Sequence, residues 1–320
     1  MAGGLGILGY IGLAPEASGG VAIGQPTAYF QATEESLSAE FDRYELFNIV
    51  GQLAPIDDRA GVLRIEGDVV MPLHPLLGGH LLKAMFGSGT VSTTGAPTGM
   101  FTHRWLTPTQ SQWDSRFALP PYTFEIFRDV GSAQQYAGVQ ANELEFTLEP
   151  NGILQARLGV IAAQWTNKQA TVASYRADIQ PFDWVTCSFS IDGVANPHVE
   201  AFSVTFMNEL EGIPTLSARD TVYKIRRSAP PGIEFSMTIG FEDISELSKF
   251  RSQSETVISW YMTSASYNCS LTLHRCIYTA APTGMGGGGR QLLEIEGMAR
   301  YKQASGTAFD FALNTTVGSY

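Results

Sequence analysis

Two glycine-rich stretches look most like ligand-binding motifs in this sequence. Residues 4–9 read Gly-Leu-Gly-Ile-Leu-Gly, which matches GxGxxG as text, and residues 284–289 hold five glycines. The dinucleotide fingerprint functions only between a strand and a helix of a βαβ unit, and no βαβ alternation follows here. The second stretch is not followed by the Gly-Lys-Ser/Thr of a phosphate-binding loop, so we predict a hairpin tip. We therefore expect no nucleotide cofactor.

The nucleophiles, metal ligands and carboxylates show no catalytic spacing either. No GxSxG, HExxH or CxxC motif occurs, and the odd number of cysteines argues against a disulfide framework. Acidic residues could supply a glycosidase pair, but nearly all fall on the polar side of predicted strands or in loops, where a solvated carboxylate is the default. We predict a protein that is not an enzyme and has no metal site. The residues considered were His74, His80, His103, His198, His274, Cys187, Cys269 and Cys276.

The elements that must position these residues are mostly strands. Apolar and polar residues alternate with a period of two around residues 61–71, where Arg64, Glu66 and Asp68 share one face and apolar residues share the other. Such strands belong to an antiparallel sheet with one solvated side. Similar runs lie at residues 28–33, 143–148, 185–192, 201–206, 232–242 and 269–273.

Helical periodicity is confined to two places. Residues from about 75 to 86 predict a short helix after Pro75. Residues 243–259 predict a second helix, which starts with the capping-box spacing of Asp243 and Glu246. Its predicted apolar stripe comprises Ile244, Leu247, Phe250, Val257, Ile258 and Tyr261.

The amino-acid composition excludes several classes of protein. The 320 residues include 44% hydrophobic but only 16% charged residues, and the formal net charge is -11. Abundant aromatic and β-branched residues exclude disorder. The sequence contains no apolar run long enough for a membrane-spanning helix, and it lacks the clustered Lys and Arg of a nucleic-acid binder. A charge-poor surface is unusual for a free monomer.

The two halves of the chain show the same order and spacing of elements. Each gives a strand, a long polar loop, an alternating strand, a helix and further strands, with an offset of about 171 residues. We predict an N-terminal arm (1–27), a first module (28–165), a joint (166–174) and a second module (175–320). The fold class is mainly β, with antiparallel sandwich or half-barrel modules, each with a short flanking helix, duplicated in tandem. Chance agreement between two β-rich halves is the alternative.

An ordered series of short segments resembles a known family. They are Gly9-Tyr10, residues 34–38, Gly67-Asp68-Val69, residues 81–87, residues 102–105 before Thr107-Pro108, residues 119–123, residues 136–138, Asn142 and Leu144. Taken in order over residues 9–165, they resemble the major tail tube proteins of long-tailed, non-contractile (siphovirus-like) bacteriophages. The resemblance implies subunits that form rings whose inner sheets join around a lumen. Rings stack through long loops and terminal arms, and DNA passes down the lumen.

The resemblance assigns roles to charged residues of the predicted strands and loops. An acidic lumen would repel phosphate, so that DNA slides. The lumen candidates are Arg64, Glu66, Asp68, Glu234 and Glu242. The loops at residues 40–60 and 211–231 are expected to stack rings, with Asp57, Asp58 and Arg59 meeting Arg226 and Arg227. Gly9 and Tyr10 belong to the N-terminal arm.

A duplicated module also predicts the ring. Three chains would supply six modules, so we expect a trimeric ring with pseudo-sixfold symmetry, with a hexameric ring as the alternative. The expected partners are further copies of the chain, the tail tape-measure, terminator and distal tail proteins, and DNA in transit, without a membrane anchor. We expect the protein in the virion tail, after assembly in the bacterial cytoplasm.

Two other readings remain open from the sequence. The chain could be another phage tail or head component, such as a terminator or decoration protein. It could also be an extracellular carbohydrate-binding β-sandwich, which would predict a signal peptide, paired cysteines or an exposed aromatic platform.

Overall fold

A computed structural model describes residues 6–46, 57–93, 99–107, 119–175, 180–216, 221–222, 224–242, 244–282 and 290–320. Over these residues the chain is mainly β, with antiparallel strand pairing and two short α-helices, as the sequence predicts. The predicted hairpin tip at 284–289 and the capping residue Asp243 lie outside the described residues.

Over the described residues, the N-terminal half contains eleven strands and one α-helix. In chain order they are β1 (Tyr10–Pro15), β2 (Ala28–Phe30), β3 (Glu34–Glu35), β4 (Ser38–Leu46), β5 (Asp57–Pro72), α1 (Gly78–Phe86), β6 (Thr90–Thr93), β7 (Phe101–Leu106), β8 (Tyr122–Phe127), β9 (Ala133–Leu148), β10 (Gln155–Ile161) and β11 (Gln164–Lys168). The long strand β9 serves two layers. Its first part pairs with β8 and β11, and its second part pairs with β10.

In the described part of the C-terminal half there are ten strands and one α-helix. They are β12 (Ser188–Ile191), β13 (Val194–Ala195), β14 (Val199–Met207), β15 (Leu210–Ile213), β16 (Lys224–Arg227), β17 (Gly232–Gly240), α2 (Ser245–Ser252), β18 (Thr256–Ser264), β19 (Tyr267–Ala280), β20 (Leu292–Ala299) and β21 (Phe309–Thr315). Here β19 is the long strand, and it pairs with β18, β20 and β21.

One sheet runs through both halves, because β14 pairs with the second part of β9. Its strand order is β4-β5-β10-β9-β14-β17-β20-β19, and we call it the central sheet. Two smaller layers cover it: β2-β1-β8-β9-β11 over the N-terminal half, and β13-β12-β18-β19-β21 over the C-terminal half. The central sheet therefore has a face that extends over both halves of the chain.

The same pairing pattern occurs in both halves. The pairs β1–β2, β1–β8, β8–β9, β9–β10, β9–β11, β10–β5 and β5–β4 are matched in turn by β12–β13, β12–β18, β18–β19, β19–β20, β19–β21, β20–β17 and β17–β14. One register irregularity also matches between β9–β10 and β19–β20, although the shifts in β4–β5 and β14–β17 lie at different places. The β9–β10 register skips Asn142, and the β19–β20 register skips Thr279.

Apolar side chains of the strands form one core that extends through both halves. At the junction, the Phe206 ring lies 5.0 Å from both the Phe86 and the Phe309 rings. Strand β7 adds a second link, since it leaves the N-terminal half and pairs with β21. Arg104 on β7 and Asp310 on β21 form an ion pair across this link. The two halves thus share both sheet and core.

The second predicted helix is too long. The helix ends at Ser252, and Gln253 has a left-handed backbone at φ 52°. Residues 256–264 form β18, in which alternate side chains are buried. Val257, Ile258 and Tyr261 fit a helical stripe by spacing, but their β-branched and aromatic types favour the strand.

The two predicted loops are also wrong in part. Much of 40–60 belongs to β4 and β5, which form a hairpin, and residues 47–56 lie outside the described part. Residues 211–231 include the paired strands β15 and β16. Within 185–192 the chain starts as a 3₁₀ turn at Trp184–Thr186 before β12 begins. In both predicted loops, pairing with the neighbouring strand makes strands of residues that the local pattern assigns to loops.

Candidate assembly surfaces

One face of the central sheet is polar across both halves. Alternate residues of each strand point away from the core, and residues directly opposite in neighbouring strands share a face. This polar face carries Glu66, Asp68, Glu143, Glu145, Glu234, Glu294 and Glu296, with Arg64 and Arg157 as its basic residues. Carboxylates therefore outnumber guanidinium groups on a surface that spans six strands.

Arg157 organises the acidic residues of the N-terminal half. Its guanidinium lies 3.3 Å from Asp68, donates to Glu145 at 2.9 Å and donates to Glu143. Burial alone would lower its pKa. The hydrogen bond that Arg157 donates to Glu145 and the charges of Glu143 and Asp68 outweigh burial and raise the pKa. The cluster ties β5, β10 and β9 together on the polar face.

Four of the five predicted lumen residues share this face. Arg64, Glu66 and Asp68 follow one another on β5, and Glu234 lies on β17. Glu242 does not share it, because β17 ends at Gly240, and its carboxylate lies 3.2 Å from His198 Nδ1.

Sequence reasoning did not single out Glu143, Glu145, Arg157, Glu294 or Glu296. The alternation of residues 143–148 was a usable signal for the first two. The sequence contains no such signal for Arg157, because the register between strands decides which carboxylates its side chain meets.

The predicted stacking residues all lie at one end of the central sheet. β4 and β5 extend beyond Ile161, the last residue of β10, and β15 with β16 extends beyond β14 and β17 at the same end. We call these two extensions the hairpin end. They are neighbours, since the pKa of Arg64 is raised by its hydrogen bond to Asp42 and, to a lesser extent, by the charge of Glu211 on β15.

Ion pairs within the β4–β5 hairpin hold the acidic stacking residues. Asp58 pairs with Arg43, and Asp57 lies 4.0 Å from Arg59. The structure does not bring these residues together with Arg226 or Arg227 inside one chain. Both groups project from the same end.

Arg226 and Arg227 differ in environment. Arg226 is exposed opposite Glu211 in the β15–β16 pair. Arg227 turns inward, and its Nη2 donates to Asn208 Oδ1 at 2.5 Å. Burial lowers the pKa of Arg227 to about 10. Arg226 is thus available to a partner, whereas Arg227 also supports the fold.

The predicted N-terminal arm joins the covering layer. Tyr10 starts β1, and its hydroxyl donates to Glu125 Oε1 at 2.5 Å. Glu125 also accepts from Lys168 at 2.6 Å and from the Thr171 hydroxyl at 2.7 Å. At Gly9 a Cβ would lie 2.6 Å from the Phe127 carbonyl oxygen, so a side chain does not fit there. This network fixes the N-terminal strand against the predicted joint.

Elsewhere the described residues offer little for chemistry. In the part of the chain that the structure describes, no group of three His, Cys, Asp or Glu could hold a metal ion. Burial raises the pKa of the Cys187 thiol to about 11 and that of Cys276 to about 12. Among the described helices, neither is both long and apolar enough to cross a membrane.

The described residues form a mainly β protein whose charge is organised on one extended sheet face. The family described as phage tail tube protein matches residues 6–299, most of the chain, and the chain belongs to that family. No curated protein matches it. Family membership implies a structural role in the virion tail, as one subunit of a multi-subunit tube.

Proposed function

We propose that this chain forms rings that stack into the hollow tail tube of a long-tailed, non-contractile phage, through which DNA leaves the virion. The central sheet carries the proposal. It spans both halves with one polar face, and its terminal strands are β4 and the end of β19. A sheet avoids exposed edges by closing on copies of itself, and a closed sheet with a polar inner face encloses a water-filled channel.

We propose that the chain is a tandem duplication and that three chains make a ring. The skipped residues Asn142 and Thr279 align the two halves. With that alignment, the seven strand pairings of one half match those of the other. Three chains then give six equivalent modules, which favours a trimeric ring of pseudo-sixfold symmetry over a hexamer.

The polar face is our candidate for the lumen. Its excess of carboxylates would repel the phosphates of DNA, whereas a basic lining would hold DNA with salt-dependent affinity. Glu66 and Glu234 occupy matching positions in the two halves, so three chains would place six such carboxylates around one level of the channel. DNA is then a passing cargo of the tube.

The hairpin end is our candidate for ring stacking. Because both predicted stacking groups project from it, head-to-tail stacking sets this end against the opposite end of the next ring. Exposed Glu149 and Glu242 lie at that opposite end, after β9 and β17. Exposed Lys224 and Arg226 on β16 have the complementary charge. This contact replaces the direct meeting of the two groups that the sequence suggested.

The remaining proposed partners are the proteins that a tail tube would contact at its two ends. We propose that its ends contact the tape-measure, terminator and distal tail proteins, and that assembly takes place in the host cytoplasm. Negative-stain electron microscopy of the purified chain tests the proposed function. Hollow tubes with a regular axial repeat are the expected result. A monodisperse monomer that binds glycan would overturn it in favour of a carbohydrate-binding sandwich.

A further inference from the structure

Within the described residues, the central sheet passes from one half to the other at one junction, formed by β9 and β14. Phe206 lies opposite Leu144, and Met207 lies opposite Glu143, in an antiparallel ladder. The ladder continues with a hydrogen bond of 2.7 Å from the Asn208 amide to the Asn142 carbonyl oxygen. The junction thus has a defined register.

Both strands of this junction have a counterpart elsewhere in the chain. Strand β14 of the second half corresponds to β4 of the first half. Thr205 on β14 lies opposite Glu234, and Ser38 on β4 lies opposite Glu66, the residue that is equivalent to Glu234. The pairing pattern also matches β9 with β19, where Thr279 takes the place of Asn142. Within the described residues, β4 pairs with β5 alone, and residues 279–282 pair on one side with β20 alone.

Exposure at the β4 edge also points to a partner. In this alignment Phe41 corresponds to Asn208. Asn208 is 3% exposed, because its amide donates to the Met85 and Ala141 carbonyl oxygens of the other half. Phe41 is 48% exposed. A large aromatic side chain is exposed where its counterpart is covered by the adjoining half, which is typical of an interface residue.

We propose that β4 of one chain pairs with the end of β19 in a second copy, in the register of the internal junction. Glu40 then lies opposite Ala280 on the polar face, and Ala39 lies opposite Ala281 on the core side. Phe41 is covered by the second copy. The contact between two chains thus has the same strand register as the β9–β14 contact within one chain. This inference rests on the proposed function and adds the contact that closes its ring.

Engineered disulfides test the register directly. Residues opposite each other in an antiparallel pair have Cα atoms about 4.5–5.5 Å apart, within the range that a disulfide spans. In a Cys187→Ala background, Glu40→Cys with Ala280→Cys should link neighbouring copies into covalent oligomers on non-reducing gels. Glu40→Cys with Ala281→Cys is the matched control, because adjacent residues point to opposite faces. Efficient links in the control and none in the test pair would overturn the register.

A second variant tests coverage of Phe41. Phe41→Asp should keep a native circular dichroism spectrum but remain a monomer by sedimentation, whereas Val130→Asp, an exposed apolar residue at another site, should assemble normally. Rings formed by Phe41→Asp at wild-type yield would overturn the inference. The outcomes separate the two proposals: wild-type tubes without the Glu40–Ala280 link refute the register alone, and a wild-type chain that forms no tubes refutes the function.

Discussion

Glu66 and Glu234 occupy the same place in two copies of one strand-pairing pattern. Glu66 lies opposite Ile161 in β10, and Glu234 lies opposite Met298 in β20. Both carboxylates are exposed on the polar face of one continuous sheet. A single chain therefore presents two equivalent acidic positions on one face, with three strands between them, as the proposed ring of paired modules requires.

Replacing a carboxylate on the polar face by a basic residue should increase the affinity of the tube for DNA. Glu234→Lys should leave assembly intact but make the tubes bind DNA, with an affinity that falls steeply as salt rises. Glu255→Lys makes the same charge change beside Arg275 on the covering layer and should leave DNA binding unchanged. Filter binding at several salt concentrations measures the effect. Equal DNA affinities for the two variants would argue against the lumen assignment.

Removing the basic charge of the hairpin end should block stacking. Arg226→Glu with Arg227→Glu should give soluble rings that fail to lengthen. Arg226→Glu alone should show the same defect with only a small loss of stability, because Arg226 is exposed but lies opposite Glu211. Arg227→Glu should also lower the melting temperature, since it loses the hydrogen bond to Asn208. Electron microscopy gives tube lengths, and normal tubes from the double variant would refute the stacking assignment.

The cluster around Arg157 should contribute measurably to stability. Arg157→Met leaves three carboxylates together without their cation and should lower the free energy of unfolding by about 1–2 kcal/mol, a value discounted because the side chain is 36% exposed. Added salt should recover part of the loss. Arg64→Met, at an arginine that is 62% exposed with Asp42 as its ion-pair partner, should lower the unfolding free energy clearly less than Arg157→Met does. Urea denaturation compares them, and equal losses would contradict the account.

Because Glu125 has a buried carboxylate, the free energy of unfolding should depend on pH in the acidic range. Its side chain is 1% exposed, and burial would raise its pKa. Hydrogen bonds from Lys168, Tyr10 and Thr171 outweigh burial and lower it. A lowered folded-state pKa gives stability that is complete above the unfolded value, about 4.3, and is lost as pH falls through the folded value.

Glu125→Gln tests this dependence. At pH 7 it should cost about 1–3 kcal/mol of unfolding free energy. The difference from wild type should shrink as pH falls below about 4, because the wild-type carboxylate then becomes protonated. Glu149→Gln, at an exposed turn residue, is the control and should match wild type throughout. A difference that stays constant with pH would exclude a role for the charge.

The sequence predicts the β class and the polar face because each strand alternates between core and solvent. Arg64, Glu66 and Asp68 are recognisable on this basis alone. It does not predict that Arg157 joins Asp68, Glu143 and Glu145, because register between strands distant in sequence decides which side chains meet. Residues 256–259 are misassigned for a related reason: short apolar runs fit both periods, and pairing with β19 selects the strand.

The number of chains in one ring tests the central claim most directly. Cryo-electron microscopy of tubes assembled from the purified chain should show rings of three chains, each contributing two modules to one closed inner sheet with the polar face toward the channel. Rings of six chains, or an inner sheet interrupted between the halves of a chain, would contradict it.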